Sequence, residues 1–134
     1  MSEPSQDTWI LVAGPYSSGA ANEKEKQQNL DVLNQAALEL FRRGYIPIIG
    51  VNNARPLIQL AEKVGGKNAN DIIMMPYSLA LAERCDVCLR IGGASKGADE
   101  EVARFRAANK DVYNDISEVP HLKPHPSRTP AHKP

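Results

Sequence analysis

Trp9-Ile-Leu-Val-Ala13 is an unbroken apolar run closed by Gly14-Pro15. A strand with one face in water alternates polar and apolar residues, so a run without alternation needs cover on both faces. Helices supply that cover in parallel sheets. A second such run, Asp86-Val-Cys-Leu-Arg-Ile91, ends at Gly92-Gly93. Asp86 is placed to cap or orient the start of its strand. Helical patterns separate these runs, and strand–helix alternation of this kind specifies an α/β domain with a parallel sheet.

The remaining elements follow from local signals. Asn22 can cap a helix, with Glu25 three residues on completing a capping box. Leu30, Leu33, Ala37, Leu40 and Phe41 then keep helical spacing, and Arg42-Arg43-Gly44 supplies a basic last turn and a glycine stop. Tyr45-Ile-Pro-Ile-Ile49 reads as a strand whose Pro47 confines it to the sheet edge. Residues 56–64 suggest a short helix, and Gly65-Gly66-Lys67-Asn68 a loop. The pattern predicts another helix over 71–84, with Pro76 marking its start or a kink. A helix over 96–109 and a short strand at Asp111-Val-Tyr113 complete the domain. Trp9 and Tyr45 are most simply packing residues.

Of the ten prolines in this 134-residue chain, Pro120, Pro124, Pro126, Pro130 and Pro134 crowd the end, together with His121, His125 and His132. Ile116, Val119 and Leu122 are the only large apolar residues there, too few to offset the ordering entropy. Residues 117–134 therefore read as a tail, disordered or draped on the surface, after a domain over 9–116 and a disordered start over 1–8. The histidine spacing matches no compact ligand pattern, so neither a metal nor a cofactor is expected. Sixteen Lys and Arg balance sixteen Asp and Glu, which lacks the basic footprint of a nucleic-acid polymer binder. The apolar runs are far too short to span a bilayer. The polar start, Met1 to Asp7, has no basic region followed by an apolar stretch. These features point to a small cytoplasmic domain.

In a parallel sheet, ligands bind beyond the carboxyl ends of the strands. Two loops of small residues land there. Gly14-Pro-Tyr-Ser-Ser-Gly19 lacks both the G-x-G-x-x-G spacing and a G-K-[ST], which removes dinucleotides and nucleoside triphosphates. Its amides and serines suit an anion or sugar hydroxyls. A tight strand-to-helix turn with incidental serines accounts for the same residues equally well. The second loop, Gly92-Gly-Ala-Ser-Lys-Gly-Ala-Asp-Glu-Glu-Val102, allows close backbone approach and sets three acids at the start of a helix. There the dipole would keep a carboxylate ionised, as a nucleophile requires. Glu101 lies one turn past Gly97 and can face the cleft. Alternatively Asp99, Glu100 and Glu101 all simply complement the helix terminus. Cys85-Asp-Val-Cys88 enters a strand rather than opening a helix, so buried structural thiols are the simpler reading than redox or zinc chemistry.

Four stretches, in order and spacing rather than singly, resemble the nucleoside 2-deoxyribosyltransferase-like superfamily. They are Ile10-Leu-Val-Ala-Gly-Pro-Tyr16, the helix with Asn29 leading to Gly44-Tyr-Ile-Pro47, Cys85-Asp86 with its strand, and Ser95-x-Gly97-x-x-x-Glu101. That group holds deoxyribosyltransferases, nucleotide N-glycoside hydrolases and small bacterial or phage domains of the DUF4406 type, which this chain resembles most. The resemblance implies a flavodoxin-like or Rossmann-like three-layer sandwich with a parallel sheet of four to five strands. It also implies retaining chemistry, in which Glu101 attacks the anomeric carbon of a ribosyl or deoxyribosyl group and displaces the base. Water or a second base then resolves the glycosyl-enzyme.

By the same resemblance, Ser95 matches the serine that the nucleotide hydrolases hold near the 5′-phosphate. Gly14, Pro15, Tyr16, Ser17, Ser18 and Gly19 match the first substrate loop, and Gly93 and Gly97 belong to the second. Relatives carry an aspartate where this chain has Ser78, and a serine hydroxyl has no useful acidity near neutral pH. Asp71, about two helical turns away, substitutes only if the helix geometry differs; Tyr16 is another possible proton donor. Ser78 thereby favours an alternative, a nucleotide-binding sensor or accessory module without turnover. The resemblance further implies a homo-oligomer acting on a small nucleotide or nucleoside.

Overall fold

The computed structural model describes residues 8–123. The elements are β1 (Trp9–Ala13), α1 (Glu23–Arg42), β2 (Ile46–Ile48), α2 (Gly50–Lys63), α3 (Ala69–Arg84), β3 (Val87–Arg90), α4 (Lys96–Ala107), β4 (Val112–Tyr113) and a 3₁₀ turn (Ile116–Glu118). Among the described residues the strands form one parallel four-stranded sheet in the order β2-β1-β3-β4. Helices cover both faces, so this is a three-layer α/β fold of flavodoxin-like or Rossmann-like type. None of the described helices is long and apolar enough to cross a membrane.

The missing alternation in β1 is explained by what its two faces touch. Ile10 and Val12 pack with Val87 and Leu89 of β3 against Leu30, Leu33 and Leu40 of α1. Leu11 and Ala13 face the other way, with Cys88, Ala82 at the end of α3, and Ala98, Val102 and Phe105 of α4. Ile10 and Leu11 are both fully buried, each contributing about 1.5–3 kcal/mol by leaving water. β2 lies at the edge, as Pro47 requires, with Pro47 opposite Ile10. Asn22 caps α1 by accepting from the Glu25 amide at 2.9 Å, and the Glu25 carboxylate reaches back to the Ala21 amide at 2.7 Å. The capping box forms, shifted one residue on its return arm.

Several features differ from the sequence expectations. α2 begins at Gly50, six residues before Pro56, and carries that proline on its exposed side. Gly50, Asn52 and Asn53 are weak helix formers, but burial of Ala54 and Ile58 against α3 outweighs their preference. α3 likewise starts at Ala69, after Asn68 in the left-handed conformation, and runs through Pro76. Trp9 is not a packing residue: it is 43% exposed, between the buried Thr8 and Ile10. Its backbone is nonetheless held, with the Trp9 amide donating to Asp86 Oδ2 at 2.8 Å. Asp86 thus ties the starts of β1 and β3 together.

The packed chain also runs past residue 116. Val119 is buried in the α1-side core, and Leu122 packs against it. Arg43 Nη1 donates to the carbonyls of Ile116 and Val119, the Tyr45 hydroxyl donates to Pro120 O, and the Leu122 amide donates to Arg43 O. Three apolar side chains suffice because α1 and β2 offer a prepared seat. At the other end, Thr8 is buried and its carbonyl accepts from the Ile46 amide. The expectations for residues 1–7 and 124–134, including His125 and His132, lie outside the described residues.

Candidate active site

The chain leaves β1 towards β2 on one side and returns through β3 on the other, so the loops after β1 and β3 diverge. Such a switch point opens a crevice at the carboxyl edge of the sheet. A cavity of about 290 Å³ lies there. The first loop lines it with Gly14, Tyr16, Ser17 and Ser18, α2 with Val51, and the α4 side with Ser95, Gly97, Ala98 and Glu101. α3 contributes Asn70, Asp71, Met74, Met75 and Ser78. Residues 71, 74, 75 and 78 share one helical face, so Asp71 does reach the cavity wall, about two turns from Ser78.

Close packing positions the first loop. A Cβ on Gly14 would come within 2.7 Å of both Ile91 O and Leu33 Cδ2, so only glycine lets the loop pass between β3 and α1. Asn29 of α1 donates to Tyr16 O at 2.7 Å and fixes the loop over the helix. The Ala20 amide closes a turn onto Ser17 O, with Gly19 at φ 74 in the position that turn needs. Gly19 itself does not line the cavity, nor do Pro15 and Gly93. Pro15 packs on Gly92, and Gly93 offers its carbonyl to Arg90.

The three acids of the second loop divide sharply. Asp99 pairs with Arg90 at 3.3 Å, Glu100 is exposed, and Glu101 is 8% exposed on the cavity wall. Ser78 Oγ donates to Glu101 Oε2 across the α3–α4 interface. Burial pushes the Glu101 carboxyl above its ordinary range, and the Ser78 hydrogen bond and the Arg90 charge oppose that rise. This corrects the expectation that the helix dipole keeps Glu101 ionised. Glu101 sits in the second turn of α4, beyond the first turn where the terminal field acts. Desolvation dominates there.

Ser95 is mainly architectural: its hydroxyl caps α4 by accepting from the Ala98 amide at 3.1 Å. Ser78 orients Glu101 rather than donating protons to a ligand. Arg90 was not singled out from the sequence. Its guanidinium bonds Ile91 O at 2.6 Å and Gly93 O at 2.9 Å as well as Asp99, which braces the loop that carries Ser95 and Glu101. The signal was available, because a cation two residues before the loop can close back onto its carbonyls. Met74, Met75 and Asn70 were also missed, although their spacing from Asp71 and Ser78 places them on the same helix face. Cys85 and Cys88 are buried and unpaired, and burial holds both thiols up at about 12, which makes them inert packing groups.

Among the described residues no three His, Cys, Asp or Glu side chains gather into a metal-binding group. Comparison with protein-family models, with curated proteins and with solved structures finds no match to this chain.

Proposed function

We propose that the cavity binds the sugar of a nucleotide or nucleoside and cleaves its N-glycosidic bond through Glu101, as a hydrolase or transferase of the nucleoside 2-deoxyribosyltransferase-like kind. One observation carries this reading. Glu101 is a buried carboxylate, aimed by Ser78, on the wall of a sugar-sized cavity at the switch point of the sheet. The ionised carboxylate attacks the anomeric carbon, the carbon–nitrogen bond breaks, and the base leaves with the bonding pair and takes a proton. Asp71 or Tyr16, both on the cavity wall, supplies it. Water then attacks the same carbon and returns a proton to the group that protonated the base, the glycosyl ester breaks, and Glu101 is regenerated as a carboxylate. The amides and hydroxyls of the first loop, with Ser95 and Gly97, hold the sugar. The protein works in the cytoplasm as a homo-oligomer on a small-molecule substrate.

A second reading, a nucleotide-binding sensor without turnover, is favoured by Ser78, which gives Glu101 a hydroxyl neighbour in place of a second carboxylate. A panel of nucleotides and nucleosides, read by thermal shift and by chromatography for free base, separates the two. The enzyme releases base and loses that release in Glu101→Ala with the fold intact. A sensor raises its melting temperature with the same ligands and frees no base.

A further inference from the structure

Beside the Glu101 cavity lies a second one of about 260 Å³, and the two share Tyr16, Asn70 and Met74. We propose that this second cavity is an anion subsite, gripped by Arg55, for the phosphate of a ligand whose sugar lies against Glu101. The inference rests on the reading of the first cavity as a sugar site.

Arg55 projects from α2 and is half-buried. Its guanidinium donates to Gln27 Oε1 at 3.1 Å, and among the described residues it forms no ion pair. A guanidinium has five donors in a planar fork, and one neutral amide oxygen leaves most of that fork available for a phosphate. The other charges in the cavity differ in exposure. Lys26 is half-buried like Arg55, whereas Glu23 and Glu62 are exposed. Glu23 is also already paired with Lys26, at 2.9 Å. Exposed carboxylates are screened by solvent, while a half-buried cation is screened less. The less exposed charges of this cavity are therefore the cationic ones, which favours an anion.

At the alternative phosphate position, the start of α4, two of the amides are already used by the protein. Ser95 Oγ accepts from the Ala98 amide and Ser95 O from the Asp99 amide. Met75 also backs Gly97, with its sulfur 3.2 Å from where a Cβ would stand. Two bonded amides and a thioether leave this helix start fewer donors for a dianion than a bare terminus offers.

Calorimetric titration of the whole protein tests this with nucleoside 5′-monophosphates, the matching nucleosides and ribose 5-phosphate, against wild type, Arg55→Met, Arg55→Lys and Ser95→Ala. The 5′-monophosphate should bind wild type about tenfold or more tighter than its nucleoside, the scale of one bidentate charge-assisted pair. Arg55→Met should erase that ratio and the binding of ribose 5-phosphate while leaving the nucleoside unchanged. Arg55→Lys, which keeps the charge without the fork, should fall between, and Ser95→Ala should keep the ratio. The proposal is overturned if Arg55→Met preserves the ratio, if Ser95→Ala alone abolishes it, or if no phosphorylated probe binds wild type. Free base measured in the same samples keeps the two readings apart. Arg55-dependent binding without base release defeats the glycosidase reading and leaves the subsite standing, whereas base release indifferent to Arg55→Met does the reverse.

Discussion

Burial raises the Glu101 carboxyl while the Ser78 hydroxyl and the Arg90 charge draw it down, and a nucleophile on that side chain acts only when ionised. Base release should therefore fall away on the acid side at a pH above the ordinary carboxylate range. Ser78→Ala removes an interaction that favours the ionised form, so it should shift this limb of the pH–rate profile to still higher pH. A profile that does not move would mean that the Ser78 contact has no part in setting ionisation. The same shift has a signature in stability. A carboxyl with a raised folded-state pKa binds more protons folded than unfolded, so its contribution is complete at low pH and is lost as pH rises through the folded-state value. Glu101→Gln should accordingly melt higher than wild type near neutral pH. The gap should close on acidification towards pH ~4, where an unfolded carboxyl also takes its proton. Thermal melts across that range check it.

At the scale of elements, the site depends on how closely α2, α3 and α4 meet. A Cβ on Gly50 would fall on the Ser78 side chain, 2.8 Å from its Cβ and closer still to its Oγ. Gly50→Ala should therefore cost about 1–3 kcal/mol by overpacking and disturb Glu101 through Ser78. Gly97→Ala meets only the flexible Met75 side chain and should be far milder; denaturant melts compare the two. The positions of β1, α1, β3 and α4 were legible because caps, glycine stops and unbroken apolar runs are local signals. Pro47 likewise announced an edge strand. The start of α2 was not legible, since Gly50, Asn52 and Asn53 favour a turn until Ala54 and Ile58 find α3, a contact distant in sequence. Glu101 stands out by lying one turn past Gly97, yet all three acids suit the helix terminus equally well. Burial and the hydrogen bond from Ser78 make that distinction, and both exist only after α3 packs on α4.

For the molecule as a whole, the chain after β4 closes the α1 side of the core instead of trailing from it. Val119 is 2% exposed, so Val119→Ala should destabilise the domain by about 2 kcal/mol through lost burial and the cavity left behind. An unchanged melting temperature would contradict that docking. The sequence reading ended the domain at 116 because Val119 and Leu122 are isolated in a polar, proline-rich stretch, and their seat on Arg43 and Tyr45 is built by distant residues. The larger consequence is a frame in which sheet edge, first loop and α4 hold one buried carboxylate over one cavity. Mass spectrometry of acid-quenched reaction mixtures addresses that carboxylate directly. Wild type turning over a nucleoside 5′-monophosphate should carry the mass of one 5-phosphoribosyl or 5-phosphodeoxyribosyl group on the peptide containing Glu101, and Glu101→Gln should carry none and release no base. Base release that persists undiminished in Glu101→Gln would contradict the account.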